Sequence, residues 1–154
     1  MRIVSLFANI GVAEACLNEL TNTHVVVANE LLFRRAALYQ AIYPDTNMIC
    51  GDITEETVYQ QILQACKRER VDTVMATPPC QGMSNAGKMD KNDSRNKLII
   101  PTINIIKAIM PDYVFIENVP QFINTTISID DEDILIKDYI NKELSDIYNF
   151  NYKV

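Results

Sequence analysis

Ile3-Val4-Ser5-Leu6-Phe7-Ala8-Asn9-Ile10-Gly11 is a short apolar run that ends in a turn. The same pattern recurs along the chain. Val25 to Ala28, Met48 to Cys50, Val71 to Ala76 and Tyr113 to Ile116 are the other strand candidates. All are nearly continuous apolar runs rather than alternating ones, as expected of parallel strands covered on both faces. Apolar stripes at helical spacing fill the intervals. They are Val12, Cys16 and Leu20; Leu32, Ala36, Tyr39 and Tyr43; Val58, Ile62, Ala65 and Cys66; Leu98, Thr102, Ile105 and Ile109; and Ile136, Ile140, Leu144 and Ile147. The third helix has Thr54 as its expected N-cap, Glu55 and Glu56 in the first turn and Lys67 and Arg68 at the end, matching the helix dipole. Pro101 is expected in the first turn of the fourth helix or at a kink. The fifth is expected to start near Asp131 or Asp133. Repeated strand–helix alternation predicts an α/β fold with a doubly wound, mostly parallel sheet. Thr77 to Lys97 and Gln121 to Asp133 break the rhythm and are expected as loops, the first polar and the second acidic; long loops in small domains usually carry function.

The chain has 154 residues, 48% of them hydrophobic, which suits one domain with a proper core. Its net charge is −6, the opposite of what a stand-alone nucleic-acid binder carries. If the protein works on nucleic acid, it is not expected to grip it alone. The four cysteines, Cys16, Cys50, Cys66 and Cys80, form no C-x-x-C pair, and His24 is the single histidine, which disfavours a metal site. No apolar run approaches the roughly 20 residues of a membrane span, and the first residues lack a leader-like apolar stretch. A cytoplasmic protein with reduced thiols is expected.

In doubly wound sheets, ligands bind at the carboxyl ends of the strands. Phe7-Ala8-Asn9-Ile10-Gly11 follows the first strand, Glu30 closes the second, and Gly51-Asp52-Ile53 follows the third. A carboxylate at the end of the second strand can accept from ribose hydroxyls. Gly11 is the single glycine of the first turn, whereas close approach of a pyrophosphate calls for G-x-G-x-x-G. A nucleoside ligand without phosphates, S-adenosylmethionine, fits better than a dinucleotide.

The fourth strand runs into Thr77-Pro78-Pro79-Cys80-Gln81-Gly82, and the fifth into Glu117-Asn118-Val119-Pro120. Two prolines stiffen the backbone ahead of Cys80, a plausible thiolate nucleophile at a strand end. Adjacent parallel strands end side by side, so Cys80 and Glu117 are expected to face one crevice. The other three cysteines lie in helical stripes or a strand and read as buried, inert thiols.

Pro78-Pro79-Cys80-Gln81-Gly82 together with Glu117-Asn118-Val119 resembles the C5-cytosine DNA methyltransferase family. Phe7 to Gly11 resembles that family's F-x-G-x-G motif, Asn29-Glu30 and Gly51-Asp52-Ile53 its next two, and Asp93-Ser94-Arg95-Asn96-Lys97-Leu98 its D-x-R-x-x-L segment. The likeness departs at Ser5, where the family usually has Asp, at Asn9 and Val12, where it has Gly, and at Ala76-Thr77, often a glycine pair. If position 9 needs a positive φ, Asn is the least costly residue other than glycine. The resemblance implies a Rossmann-like fold of the S-adenosylmethionine-dependent methyltransferase type, here incomplete. Residues 1–70 would form the cofactor half and 71–125 the catalytic loop and Glu-Asn-Val segment, with no target-recognition region. Family members continue with a Gln-Arg-Arg motif, a target-recognition region and a final helix, so a second methyltransferase subunit is an expected partner, with DNA as substrate.

By the same resemblance, Cys80 attacks C6 of a flipped cytosine, Glu117 holds N3 and the exocyclic amine, and Asn118 positions the loop. Arg95 contacts phosphate or braces the loop. The cofactor residues are Phe7, Ala8, Asn9, Ile10, Gly11, Glu30, Leu31, Asp52, Ile53 and Pro78, with Phe7 packing on the cofactor, Glu30 on ribose and Asp52 on the adenine amine. Lys88, Lys91, Arg95 and Lys97 form a small basic patch on the catalytic loop. A bacterial or phage-encoded restriction–modification enzyme is implied. A non-catalytic remnant, a regulatory or decoy module and a tRNA-directed enzyme are the alternatives.

Overall fold

Five short strands stack into one parallel sheet in the computed structural model, which describes residues 1–15, 17, 22–79, 94–130 and 132–153. In chain order the elements are β1 (Arg2–Leu6), β2 (His24–Glu30), α1 (Phe33–Ile42), β3 (Asn47–Cys50), α2 (Glu56–Glu69), β4 (Thr73–Ala76), α3 (Ile99–Ile109), β5 (Tyr113–Ile116), β6 (Thr126–Ile129), β7 (Glu132–Leu135) and α4 (Ile136–Leu144). The sheet order is β3-β2-β1-β4-β5, so the chain winds outward from β1 in both directions. That reversal puts the topological switch point beside β1, where a crevice opens at the carboxyl ends.

Packing follows the apolar pattern. Ile3, Val4 and Leu6 of β1 are all buried, and so is Ser5, whose hydroxyl bonds the buried Glu14 carboxyl. The main core joins Val4, Leu6, Val27 and Val74 of the sheet to Val58 and Ile62 of α2, Ile103 and Ile106 of α3, and Ile140 and Leu144 of α4. A smaller cluster of Ala8, Ala28 and Tyr39 lies under α1. The Asp72 carboxylate accepts the Arg2 N–H at 2.8 Å and locks the start of β1 to the turn before β4. Burial would raise that carboxyl, but the Thr73 hydroxyl, the Arg2 amide and nearby positive charge hold it below its ordinary range.

All five predicted strands are present, as are the helices of the second to fifth stripes. Pro101 sits in the first turn of α3, where its missing N–H costs nothing. The differences are local. Glu55, not Thr54, occupies the N-cap position of α2 and its side chain makes no capping bond; Thr54 belongs to the preceding turn, where its N–H and hydroxyl both bond Asp52 Oδ1, the hydroxyl at 2.7 Å. Residues 11–15 form successive turns closed by Gly11 N–H to Ala8 O and Ala15 N–H to Val12 O; the rest of the first predicted helix lies mostly outside the described residues. The stretch expected as an acidic loop instead folds as a 3-10 turn, Phe122–Asn124, followed by the antiparallel β6–β7 hairpin. The alternation Thr126-Ile127-Ser128-Ile129 carries that strand, with Ile127 buried, and Asp130 takes the left-handed turn position at φ 51°. α4 accordingly starts at Ile136, later than expected.

Gly51 marks the closest approach of the third loop to α2. A Cβ there would stand 2.6 Å from Val58 Cγ2. Gly51→Ala should cost about 1–3 kcal/mol by overpacking, read as a lower urea midpoint at an unchanged slope.

Candidate active site

Three backbone loops meet where β1, β2 and β3 end. The first, Phe7 to Gly11, alternates its handedness: Phe7, Asn9 and Gly11 have φ of 61°, 52° and 84°. Asn9 therefore does occupy a left-handed position, which asparagine tolerates better than other side chains. At Gly11 no side chain fits, because a Cβ would lie 2.2 Å from the Tyr43 ring. Tyr43 instead donates its hydroxyl to Gly11 O at 2.8 Å and tilts against Tyr39, with ring centroids 4.8 Å apart.

The end of β2 holds the loops together. Glu30 is buried, and its two carboxylate oxygens take separate backbone amides, Asn9 N–H at 3.0 Å and Leu32 N–H at 2.9 Å. Its neighbour Asn29 is buried as well. The Asn29 side-chain amide donates to Ile49 O at 3.0 Å and Gly51 O at 3.1 Å, while its backbone carbonyl accepts Ala8 N–H at 2.9 Å. Sequence reading placed Asn29 within a motif but gave it no role; a polar side chain inside an apolar strand end was the available signal. In the third loop Asp52 Oδ1 accepts both the Thr54 N–H and hydroxyl, and Oδ2 has no bond among the described residues. Ile53 is buried in the main core, and Leu31 is exposed beside Cys50, whose thiol reaches Leu31 O at 3.8 Å.

The chemical half is built on β4 and β5. Their register sets Ala76 opposite Ile116, so Thr77-Pro78 and Glu117-Asn118 leave the sheet together. Glu117 N–H donates to Ala76 O at 3.0 Å, and the Asn118 side-chain amide donates to Pro78 O at 2.7 Å. Asn118 Oδ1 accepts the Val119 N–H at 2.9 Å, so both ends of that amide are fixed. Thr77 ties this half to the first loop through its hydroxyl bond to Phe7 O at 3.2 Å. Pro78 is buried and Glu117 is exposed. Arg95 is exposed on a 3-10 turn, Ser94–Leu98, that leads into α3. Cys80 and the expected basic residues Lys88 and Lys91 lie outside the described residues.

Of the other cysteines, Cys66 is buried and its thiol is pushed up to about 12 by desolvation, an inert group as expected. Cys50 is not buried: it ends the edge strand β3 and is exposed.

Residues 1–154 match a family profile for C-5 cytosine-specific DNA methylases. The chain belongs to that family. Among curated methylase relatives, the type II methyltransferase M1.HgaI of Avibacterium volantium is 38% identical over 98% of this chain and 43% of its own length. A tRNA (cytosine(38)-C(5))-methyltransferase of Spodoptera frugiperda is 30% identical over 82% of this chain and 37% of its own length. In solved structures, a Spodoptera frugiperda DNMT2 variant superimposes with a TM-score of 0.67 at 27% identity, over 95% of this chain and 41% of that one. The methylase chain thus spans about two fifths of the length of these relatives. Among its described residues no helix is long and apolar enough to cross a membrane.

Glu14 is the site-adjacent residue that sequence reading missed. It is 1% exposed, and Oε2 has no hydrogen-bond partner among the described residues. The Ser5 hydroxyl and, at 3.4 Å, the Tyr39 hydroxyl reach its carboxyl. Burial outweighs these bonds and raises the Glu14 carboxyl above its ordinary 4.5. The native state therefore holds this proton after the unfolded chain has released it. Stability from this group is full below about pH 4.5 and falls as pH rises through the native value. Glu14→Gln should gain stability relative to the natural protein as pH increases from 4 to 8, measured by urea unfolding at both ends; a pH-independent difference would contradict the assignment.

Proposed function

We propose that this chain is the catalytic portion of an S-adenosylmethionine-dependent DNA (cytosine-5)-methyltransferase of the restriction–modification type. Its organisation is a cofactor half over residues 1–70 and a catalytic segment over 71–125. The observation that carries the reading is the 2.7 Å bond from Asn118 to Pro78 O. It ties the root of the Pro-Pro-Cys loop to the Glu-Asn-Val segment, the two stretches the chemistry needs in one crevice. The assignment to bacterial or phage cytoplasm comes with the same reading.

The residues present suit the cofactor. The first loop has one glycine and a phenylalanine at its entry, a poor cradle for pyrophosphate and a good one for an uncharged nucleoside edge. Asp52 Oδ2 is available to accept from an adenine amine, and the Glu30 oxygens retain lone pairs for ribose hydroxyls. In this reading Phe7, Asn9, Ile10 and Leu31 border the cofactor, while Ala8, Gly11, Ile53 and Pro78 are buried and support the loops that do. When bound, S-adenosylmethionine supplies an electrophilic methyl group.

Aromatic C5 is a weak nucleophile, so the chain's own task is to make it electron-rich. The Cys80 thiolate adds to C6 of the flipped base, forming the C–S bond and moving the electron pair toward C5. Glu117 hydrogen-bonds N3 and the exocyclic amine as that charge builds. After the methyl arrives, a base removes the C5 proton, and the C–S bond breaks to release Cys80. Asn118 acts through Pro78 as a positioning residue, and Arg95 braces the loop or meets phosphate.

The isolated chain should be inactive. Net charge −6 opposes association with a polyanion that a typical binder meets through about 6–10 phosphate contacts. The chain spans about two fifths of its relatives' length, and the contacts that read base edges and offset the few kcal/mol of base flipping are assigned to the remaining length of the enzyme. Activity requires that remainder, in the same polypeptide or as a second subunit.

Labelled S-adenosylmethionine offered with duplex DNA and with tRNA tests the reading. The chain alone should show no turnover. Turnover on DNA should appear when the remaining part of an M1.HgaI-type enzyme is supplied, and Cys80→Ser should abolish it. Asn118→Ala should lower kcat at least about tenfold, roughly 1.4 kcal/mol, with little change in cofactor KM. Transfer to tRNA alone would favour the RNA-directed alternative, and Cys80-dependent turnover by the isolated chain would show that the remainder is dispensable. By calorimetry the cofactor should bind more weakly than micromolar, about 8 kcal/mol, and Asp52→Ala should weaken it further; no heat at millimolar cofactor rejects the site.

A further inference from the structure

Val12 to Ala15 lead away from the first loop, and burial among them is inverted. Val12 is 71% exposed, Ala13 and Ala15 are exposed, and the one side chain of the four that turns inward is Glu14. A buried carboxyl costs more than a buried valine unless hydrogen bonds offset it. A glutamate nevertheless fixes this stretch to the domain.

The bonds that offset it form a row across three elements. The Ser5 hydroxyl of β1 reaches the Glu14 carboxyl, and Tyr39 Oη of α1 lies 3.4 Å from its Oε1. Tyr39 is completely buried, and its hydroxyl also meets that of Thr46, in the bend before β3. Thr46 donates to Val25 O of β2 at 2.9 Å. Protons can be counted along the row. A carbonyl only accepts, so the Thr46 proton is committed there and Thr46 offers Tyr39 only lone pairs. Tyr39 then donates to Thr46, and its single proton is committed too. Glu14 completes the row as a donor, through a carboxyl that keeps its proton. A carboxylate would have to draw the Tyr39 proton away from Thr46, and its Oε2 would have no partner among the described residues.

No opposite charge compensates. From α1 the titratable groups on this side are Tyr39, kept above its ordinary range by burial, and behind it Tyr43. β1 offers Ser5, and Glu14 makes no ion pair among the described residues. Burial accordingly raises the Glu14 carboxyl above its ordinary range. The row also meets the first loop. The rings of Tyr43 and Tyr39 stand 2.2 and 3.1 Å from where a Cβ on Gly11 would be, Tyr43 donates to Gly11 O, and Gly11 N–H closes on Ala8 O. A charged Glu14 gains water by turning outward, and that motion draws Gly11, three residues earlier, away from the tyrosines.

We propose that Glu14, with its proton in place, is a positioning residue that holds the Phe7–Gly11 loop in the shape that accepts S-adenosylmethionine, and that loss of the proton releases the loop and with it the cofactor. The inference rests on the proposed function only for the identity of the ligand.

Two measurements from pH 5 to 8 test it on the full 154-residue chain, as wild type and as Glu14→Gln. Glutamine keeps a donor and an acceptor and does not titrate. Calorimetry with S-adenosylmethionine should show wild-type affinity falling, relative to Glu14→Gln, at least about threefold across the range, because the proton is lost as pH rises through the native value. The comparison between the two proteins cancels every other titrating group, the amine of the cofactor included. Hydrogen exchange without cofactor should show protection of the Gly11 amide decreasing over the same range in the wild type and holding in Glu14→Gln. Thr46→Val removes the acceptor for the Tyr39 proton, which then serves the carboxylate, so the fall should move to lower pH. That variant remains decisive if Glu14→Gln unfolds, and far-UV circular dichroism checks both. Parallel pH profiles in wild type and Glu14→Gln, or a fall that Thr46→Val leaves in place or moves to higher pH, overturn the proposal. Gly11 protection that follows Glu14 with no heat from millimolar cofactor would support the positioning role and count against the cofactor reading. Cofactor binding with parallel profiles would do the reverse.

Discussion

Three loops at the carboxyl edge are organised by two adjacent side chains, Asn29 and Glu30, at the end of β2. Backbone groups that leave a parallel sheet lose their ladder partners, and a buried donor left unsatisfied costs about 1–3 kcal/mol. Asn29 satisfies the carbonyls of Ile49 and Gly51, and Glu30 the amides of Asn9 and Leu32. The candidate cofactor surface is thus fixed by polar bonds made inside the protein before any ligand arrives. Glu30 has a double task in this arrangement, since the oxygens proposed to meet ribose are the same ones that hold the first loop against the second.

The mixture of handedness in the first loop depends on this clamp. Left-handed φ at Phe7 is unfavourable for a bulky aromatic residue and persists only where the surroundings over-determine it. Here Thr77 grips Phe7 O, Asn29 O takes Ala8 N–H, and Glu30 takes Asn9 N–H. Tyr43 completes the set from α1 by bonding Gly11 O. The loop is thus held from the ends of β4, β2 and α1, so its shape reports on the packing of most of the domain.

The strands were legible because parallel strands buried on both faces leave continuous β-branched runs, and Tyr113 to Ile116 was read to the residue. Positive φ at Asn9 was legible from chemistry, since few residues other than asparagine tolerate it. The β6–β7 hairpin was not, because acidic residues around Asp130 masked the alternation of Thr126 to Ile129. The α2 cap was misplaced by one residue because Thr54 belongs to the turn at Asp52, bonded to its Oδ1 through both N–H and hydroxyl. Glu14 escaped notice for a different reason: nothing in a sequence distinguishes a buried glutamate from a solvated one when its partners, Ser5 and Tyr39, come from distant elements.

The contrast between the thiols of Cys66 and Cys50 has a practical side. Cys66 is desolvated and holds its proton to about 12, so alkylating reagents at neutral pH pass it by. Cys50 is exposed, and its sulfur lies 3.8 Å from Leu31 O at the mouth of the second loop. A bulky maleimide or iodoacetamide adduct there would crowd the same crevice that Leu31 and Asp52 border. Loss of function after thiol modification could therefore originate at Cys50 as well as at the proposed nucleophile, Cys80. A background carrying serine at position 50 removes the contribution of that thiol and leaves the others to be read alone.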